Sequence, residues 1–299
     1  MPKVTVIIPT YNQKFYLQEA VESVMAQDYP NLEILIADDC SNDGTDKMME
    51  QFLGDHRIRY IRHEKNFGTG LNTRHVLYNM VNGEYVLVLN HDDYLIDRGF
   101  ITKAAQLLHF NPKLSFVWAN CNILDVNSGQ MTATNHNCPA VVGGLEYFTN
   151  YGTGGYYHIT SVLTTVFRRE DAVRMNCYFE ESKALDLFLH LKLMLTGDVG
   201  FINDHVAVYR IHDGGISLNL PSGFDRSTIK EFQALKSIAH GLGVYEGHLN
   251  NWLSNQVFSY YRWRFISLWG KNRKKTAVDL LLDIKDDYPI AYEAVLNSI

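Results

Sequence analysis

The apolar run Tyr85-Val86-Leu87-Val88-Leu89 stops abruptly at Asn90-His91-Asp92-Asp93, and no other stretch constrains the fold of this chain so strongly. Unbroken apolar residues without period-two alternation suit a strand covered on both faces, the situation in the middle of a parallel sheet. The turn signal Asn82-Gly83 precedes it. Two adjacent carboxylates at a strand's end repel one another, and a divalent cation carrying phosphates would relieve that repulsion while using their oxygens as ligands. A capping turn ahead of a helix is the other use of such a sequence.

Three earlier segments repeat the pattern. Val4 to Ile8 is β-branched and ends at Pro9-Thr10-Tyr11-Asn12, after which Leu17, Ala20, Val21, Val24 and Met25 have helical spacing. Leu32 to Ala37 ends at Asp38-Asp39-Cys40-Ser41-Asn42-Asp43-Gly44-Thr45, before a helix over Lys47 to Leu53. A short strand over Ile58 to Ile61, a turn at Asn66 to Gly70 and a helix over Leu71 to Met80 that carries Arg74 complete the series. Alternating strands and helices imply right-handed βαβ crossovers, which line up the carboxyl ends of the strands on the edge where such sheets bind ligands. Topology alone therefore predicts that Pro9–Asn12, Asp38–Asp43 and Asn90–Asp93 meet.

The second half is less regular. It predicts a helix over Phe100 to Phe110, a strand over Leu114 to Ala119, a hairpin at Asn127-Ser128-Gly129, a strand over Thr164 to Arg168 and a helix over Ser182 to Leu195. Two short strands over Val199 to Ile202 and Val206 to Ile211 follow, and the pattern is helical from Asp225 onward. Residues 132–160, rich in glycine and tyrosine, read as a long functional loop. The breaker Leu220-Pro221-Ser222-Gly223 divides an α/β domain of residues 1–220, with a nucleotide-binding half 1–95 and an acceptor half 96–220, from a helical extension 221–299.

A chain of 299 residues with 46% hydrophobic content can bury a sizeable core. Its formal charge of -6 argues against a dedicated nucleic-acid binder, which needs a concentrated basic surface. The four cysteines show no Cys-x-x-Cys spacing and are too sparse for a disulfide scaffold, so a reducing cytoplasm is expected. No signal segment and no apolar run long enough to span a bilayer is evident, and the expectation is a protein neither exported nor membrane-spanning.

The first loop lacks Gly-x-Gly-x-x-Gly, which counts against a nicotinamide or flavin enzyme. Instead Val6-Ile7-Ile8-Pro9-Thr10-Tyr11-Asn12, Ala37 through Thr45, Asn66-x-Gly68, Gly83-Glu84-Tyr85 and Asp92-Asp93 together resemble the inverting family-2 glycosyltransferases of the GT-A fold. The resemblance covers residues 3 to about 217. It implies a mixed, mostly parallel sheet flanked by helices, and a sugar moved from a nucleotide donor, expected to be a UDP-sugar, to a glycan or lipid-linked glycan acceptor in surface polysaccharide synthesis. On that resemblance Pro9, Thr10, Tyr11 and Asn12 border the nucleotide, Asp39 takes a hydrogen bond from the base, Arg74 lies near the base or diphosphate, and Asp92 sits by the ribose and donor sugar. Asp93 is the main ligand of Mn²⁺ or Mg²⁺, and His212, in Tyr209-Arg210-Ile211-His212, touches the metal or diphosphate. Asp186 falls where the catalytic base belongs, and Gly214-Gly215 suggests a flap. Two positions depart from the family pattern: Leu185 replaces a usual Glu and Asn90 a usual Asp. They keep open a non-catalytic subunit that binds sugar nucleotides or serves assembly.

In the tail, Leu249, Leu253, Val257, Tyr261, Phe265 and Leu268 form one helical stripe, with Trp252, Trp263, Trp269, Arg262, Arg264, Lys271, Arg273, Lys274 and Lys275 around it. Packing on the catalytic domain, homo-oligomer formation and peripheral contact with the inner face of a membrane are the roles this composition suits.

Overall fold

A computed structural model describes residues 1–178, 184–215 and 224–298. Two sequence expectations lie outside them: the start of the helix at Ser182 and the breaker at 220–223. The chain forms two compact units, Met1–Phe148 with Gly155–Asp213, and Thr149–Gly154 with Gly214–Ile299.

In the first unit the strands and helices run β1 (Val4–Thr10), α1 (Lys14–Met25), β2 (Leu32–Asp38), α2 (Thr45–Met49), β3 (Ile58–Arg62), α3 (Thr69–Asn79), β4 (Tyr85–Val88), β5 (Tyr94–Leu95), α4 (Phe100–Phe110), β6 (Leu114–Asp125), β7 (Met131–Ala133), β8 (Val141–Val142), α5 (Gly144–Asn150), β9 (Thr165–Arg168), α6 (Arg169–Arg174), α7 (Leu185–Met194) and β10 (Asp198–Ile211). The strands make one mixed sheet of order β3-β2-β1-β4-β9-β6-β10-β5, with β7 on β6 and β8 on β10. The first four strands are parallel, β9 runs against both β4 and β6, and β6 is parallel to β10. β1, β2 and β4 are buried along their whole length, as unpatterned apolar strands between two helical layers must be. Val4, Val6 and Ile8 of β1 join Leu17, Ala20, Val21 and Val24 of α1 and Ile101, Ala104 and Leu108 of α4 in one core. The alternate residues face the other way, toward the side where Val76 and Leu77 of α3 are buried. Each such side chain removed from water contributes roughly 1.5–3 kcal/mol before chain entropy is counted.

Two expectations are refined, and one strand had no sequence signal. The two short strands at 199–211 are one strand, because the exposed polar triplet Asn203-Asp204-His205 is absorbed by a register shift against β6 instead of a turn. The stretch 132–160 is a loop interrupted by β7, β8 and α5, and Tyr147, Phe148 and Tyr151 within it are buried. Strand β5 was too short to show as a periodic pattern, and it exists because Tyr94 and Leu95 pair with Val208 and Ala207 of β10.

The second unit is helical: α8 (Phe224–Gly241), α9 (Glu246–Gly270), α10 (Lys274–Leu282) and α11 (Pro289–Leu296). Its core is Phe232, Leu235, Leu249, Trp252, Val257, Tyr261, Leu268, Leu281 and Val295. Here the expected surface role of Trp252 and Arg264 is overturned. The Trp252 ring packs edge-on to Phe232 at 6.0 Å, and Arg264 is buried with Nε 2.8 Å from Asp225. Among the described residues no helix is long and apolar enough to cross a membrane.

Candidate active site

The parallel register sets the rim. Thr10 stands opposite Asp38, and just beyond the paired strands the Asp39 N–H donates to Thr10 O at 2.9 Å. The two loops are laced further, the Asn12 N–H donating to Ser41 Oγ at 2.9 Å and the Asn42 N–H to Asn12 Oδ1 at 2.8 Å. Asn12 and Cys40 adopt φ values of 52° and 68°, a left-handed conformation that non-glycine residues hold only where surrounding bonds over-determine it. From β4 comes the third loop, with the Leu89 N–H on Ile7 O at 2.9 Å and His91 Nδ1 3.0 Å from Pro9 O. The three polar clusters thus share one edge of the sheet.

Within this rim Asp39 is buried, and its carboxylate accepts the N–H groups of Phe67 and Gly68, each at 2.7 Å. Gly68, at φ 86°, brings the start of α3 onto that carboxylate. Thr10 is buried with no partner for Oγ1, and Tyr11 is exposed. Arg74 is tied to another part of the unit: its guanidinium donates to Asn176 Oδ1 and Tyr178 O, both at 2.7 Å, and stacks 4.7 Å from the Tyr78 ring centroid.

Asp92 and Asp93 are placed by β10. Because β5 crosses antiparallel to that strand, Asp93 arrives beside the Arg210 N–H, which donates to its Oδ1 at 2.8 Å. Its other oxygen, Oδ2, is buried and has no hydrogen-bond partner. Burial, reinforced by the charge of Asp92, pushes the Asp93 carboxyl well above the ordinary carboxylate range, against the opposing pull of Arg210. His212 Nε2 is 3.0 Å from Asp92 Oδ2, and the ring lies 5.3 Å from that of Tyr16. The Arg210 guanidinium donates to Asp92 O at 2.8 Å and to Glu19, and sits over the rings of Tyr94 at 4.3 Å and Tyr16 at 5.1 Å. Arg210 organises both acids, yet no role was predicted for it. The alternation of β10, which puts residues 210 and 212 on one side of the strand, is the signal that could have found it.

Asp186 opens α7. Its Oδ2 accepts Ser161 Oγ at 3.1 Å and the Val162 N–H at 3.3 Å, bonds that hold the carboxyl in one orientation. Burial raises its pKa above the usual carboxylate value, those two bonds oppose the shift, and the negative charge of Asp92 adds to it. Asp186 in turn adds to the upward shift of Asp93. Leu185 packs toward α3, its Cδ1 3.1 Å from the point a Cβ on Gly70 would occupy. Ser161 had no sequence signal, since only the tertiary fold carries it to α7.

A sequence model of the family described as Glycosyl transferase family 2 matches residues 5–169, more than half of the chain. The chain belongs to that family. As a glycosyltransferase it is 24% identical over 220 residues to Glycosyltransferase GlyG of Streptococcus pneumoniae, a match covering 71% of this chain and 72% of GlyG. It is 33% identical over 125 residues to the GalNAc(5)-diNAcBac-PP-undecaprenol beta-1,3-glucosyltransferase of Campylobacter jejuni, across 41% of this chain and 39% of that protein. In three dimensions it superposes on the crystal structure of S. aureus TarS 1-349 in complex with UDP-GlcNAc with a TM-score of 0.74 at 21% identity, covering 98% of this chain and 83% of that one. That likeness shows the GT-A fold, with its mixed sheet and flanking helices. Against the family pattern, the orphaned Oδ2 of Asp93 has the chemistry of a hard-cation ligand. Among the described residues no group of three or more His, Cys, Asp or Glu forms a ready-made cage. A cation there would complete its shell with water and phosphate oxygens, as Mg²⁺ and Mn²⁺ do. His212 Nε2 serves Asp92 in this arrangement, so binding a metal through that nitrogen would mean exchanging that hydrogen bond.

Proposed function

We propose that this glycosyltransferase moves a sugar, with inversion, from a nucleotide donor, read as a UDP-sugar, to a glycan or lipid-linked glycan acceptor in surface polysaccharide synthesis. The reading is carried by one observation: the Asp186 carboxyl is held in one orientation by Ser161 Oγ and the Val162 N–H and its charge reaches Asp93, whose Oδ2 is buried without a partner. Asp186 takes the proton of the attacking acceptor hydroxyl as the oxygen bonds to the anomeric carbon and the bond to the diphosphate breaks. One displacement with one base inverts the configuration and needs no enzyme nucleophile. A raised carboxyl pKa suits the role, since a base is most effective when its pKa lies near the working pH. Ser161 and the Val162 N–H orient the base. Asp93, with Asp92 and His212 beside it, would hold Mn²⁺ or Mg²⁺, which supplies charge neutralisation for the departing diphosphate. Pro9, Thr10, Tyr11, Asn12 and Asp39 line the nucleotide end, and Arg74 supports it through α3.

Support for the donor comes from TarS, whose structure holds UDP-GlcNAc, and for a lipid-linked acceptor from the Campylobacter enzyme, whose name carries an undecaprenol diphosphate. A panel of nucleotide sugars screened for thermal stabilisation with and without Mn²⁺ tests the reading. One donor should raise the unfolding midpoint in a metal-dependent way, because a ligand of the native state stabilises it. The same donor should then be turned over, with inversion seen by NMR of the anomeric proton. Tight binding without turnover on any acceptor would replace the reading with a sugar-nucleotide-binding subunit, and the absence of any stabilising donor would remove both.

A further inference from the structure

We propose that the face of α9 bearing Trp263, Ile266 and Trp269, with the basic turn made by Arg273 and the first α10 residues Lys274 and Lys275, seats this protein on the headgroup layer of an anionic phospholipid membrane. At about 100° per residue, positions three apart along α9 fall within roughly 120° of one another, so the three side chains share a face. They are 47%, 46% and 44% exposed, while Val257, Tyr261 and Leu268 on the roughly opposite side are buried in the unit's core and the buried Phe265 stacks on the inner side of Trp269 at 5.2 Å. Arg262 projects between Ile266 and Trp269 around the helix axis and is held by Ser298 Oγ at 3.1 Å. The Lys274 ammonium lies 5.2 Å from the Trp269 ring centroid, which joins the aromatic face to the basic turn.

Charge selects the occupant. The chain carries a net -6, yet three consecutive residues here are cationic. Among the described residues the Lys and Arg ion pairs of this unit join Arg226 to Asp283, Lys236 to Glu246 and Arg264 to Asp225, and none uses Arg273, Lys274 or Lys275. A second copy docking symmetrically through this face would set the basic turn against itself. An anionic lipid layer instead takes the rings at headgroup depth and the cations at its phosphates, the arrangement in which interfacial tryptophan and lysine are stable. The use of such seating, delivery to a lipid-linked acceptor, rests on the function proposed above; the binding itself does not.

The test is flotation of the full chain with vesicles of phosphatidylcholine mixed with phosphatidylglycerol, against pure phosphatidylcholine vesicles. Binding should require the anionic lipid and weaken with salt. Since each basic residue near such a surface is worth about fivefold in affinity, R273E/K274E/K275E should weaken binding on the order of 100-fold or more. W263A/W269A should weaken it by loss of the buried rings. The wild-type chain gives a reading that needs no variant: Trp118 and Trp252 are already buried, so a blue shift of tryptophan emission on adding the mixed vesicles reports Trp263 and Trp269. The proposal is overturned by binding that is indifferent to phosphatidylglycerol and to charge reversal, by no binding to either vesicle, or by a concentration-dependent dimer that these substitutions abolish. Each outcome leaves the donor-binding assay untouched, because that assay contains no membrane.

Discussion

Asp93 holds a proton more tightly in the folded protein than in the unfolded chain, because burial and Asp92 raise its pKa. The sign follows from linkage: ionised Asp93 opposes folding, and the opposition grows as pH rises from the ordinary value of about 3.9 through the raised one. Asp93→Asn keeps an acceptor for the Arg210 N–H while removing the charge. It is expected to raise the metal-free unfolding midpoint at neutral pH and to abolish the extra stabilisation Mn²⁺ adds to a bound nucleotide diphosphate, both read by thermal melts. A metal increment that survives would show that Asp93 is not the ligand. Asp186 has a raised pKa too, but as the proposed base it would work in its ionised form, so on that proposal kcat should climb with pH through that pKa. In Asp186→Asn we expect kcat to fall by roughly 10²- to 10⁴-fold with the donor-induced melting shift retained and the rising limb gone. Unchanged turnover would move the base elsewhere.

Elements bring these residues together by register. β10 is the organising strand: it pairs with β6, β8 and β5, and it places Arg210 and His212 against the two acids. The far end of α7, whose start carries Asp186, is braced where α5 begins. A Cβ on Gly144 would lie 1.9 Å from Gly197 O and 2.3 Å from Met194 O, both backbone atoms that cannot swing aside. Gly144→Ala should therefore destabilise the fold by about 1–3 kcal/mol or more through overpacking, measured by chemical denaturation. Little change would mean that this junction is looser than its geometry indicates. Leu185 illustrates an element-level reading of a departure: it serves the contact between α7 and α3, whereas the neighbouring Asp186 faces Ser161.

At the scale of the whole molecule, each of the two units has a core of its own. The helical unit is organised about Asp225, which accepts from Arg264 Nε at 2.8 Å and from Tyr260 OH at 2.6 Å. Removing one partner of this largely buried ion pair leaves Asp225 with Tyr260 alone among the described residues, so Arg264→Ala should cost about 1–3 kcal/mol, while Arg264→Ala with Asp225→Ala should recover part of it. A double variant no better than the single one would show that packing of the arginine stem, not its charge, carries the effect.

Much was legible before any coordinates. Apolar runs ending in polar clusters, alternating with helical periodicity, were sufficient for a mostly parallel sheet with Pro9–Asn12, Asp38–Asp43 and Asn90–Asp93 at one edge, because strand direction and crossover handedness leave few alternatives. What periodicity could not reveal was contact between distant side chains. That Asp93 Oδ2 is left without a partner, that Arg210 braces the acidic pair while Arg74 is tied to Asn176 and Tyr178, that Ser161 orients Asp186, and that Trp252 and Arg264 are interior while Trp263 and Trp269 are not were decided by packing between segments far apart in the chain. Local sequence determines which face of an element is apolar. Which polar groups find partners in the interior depends on what the fold brings opposite them.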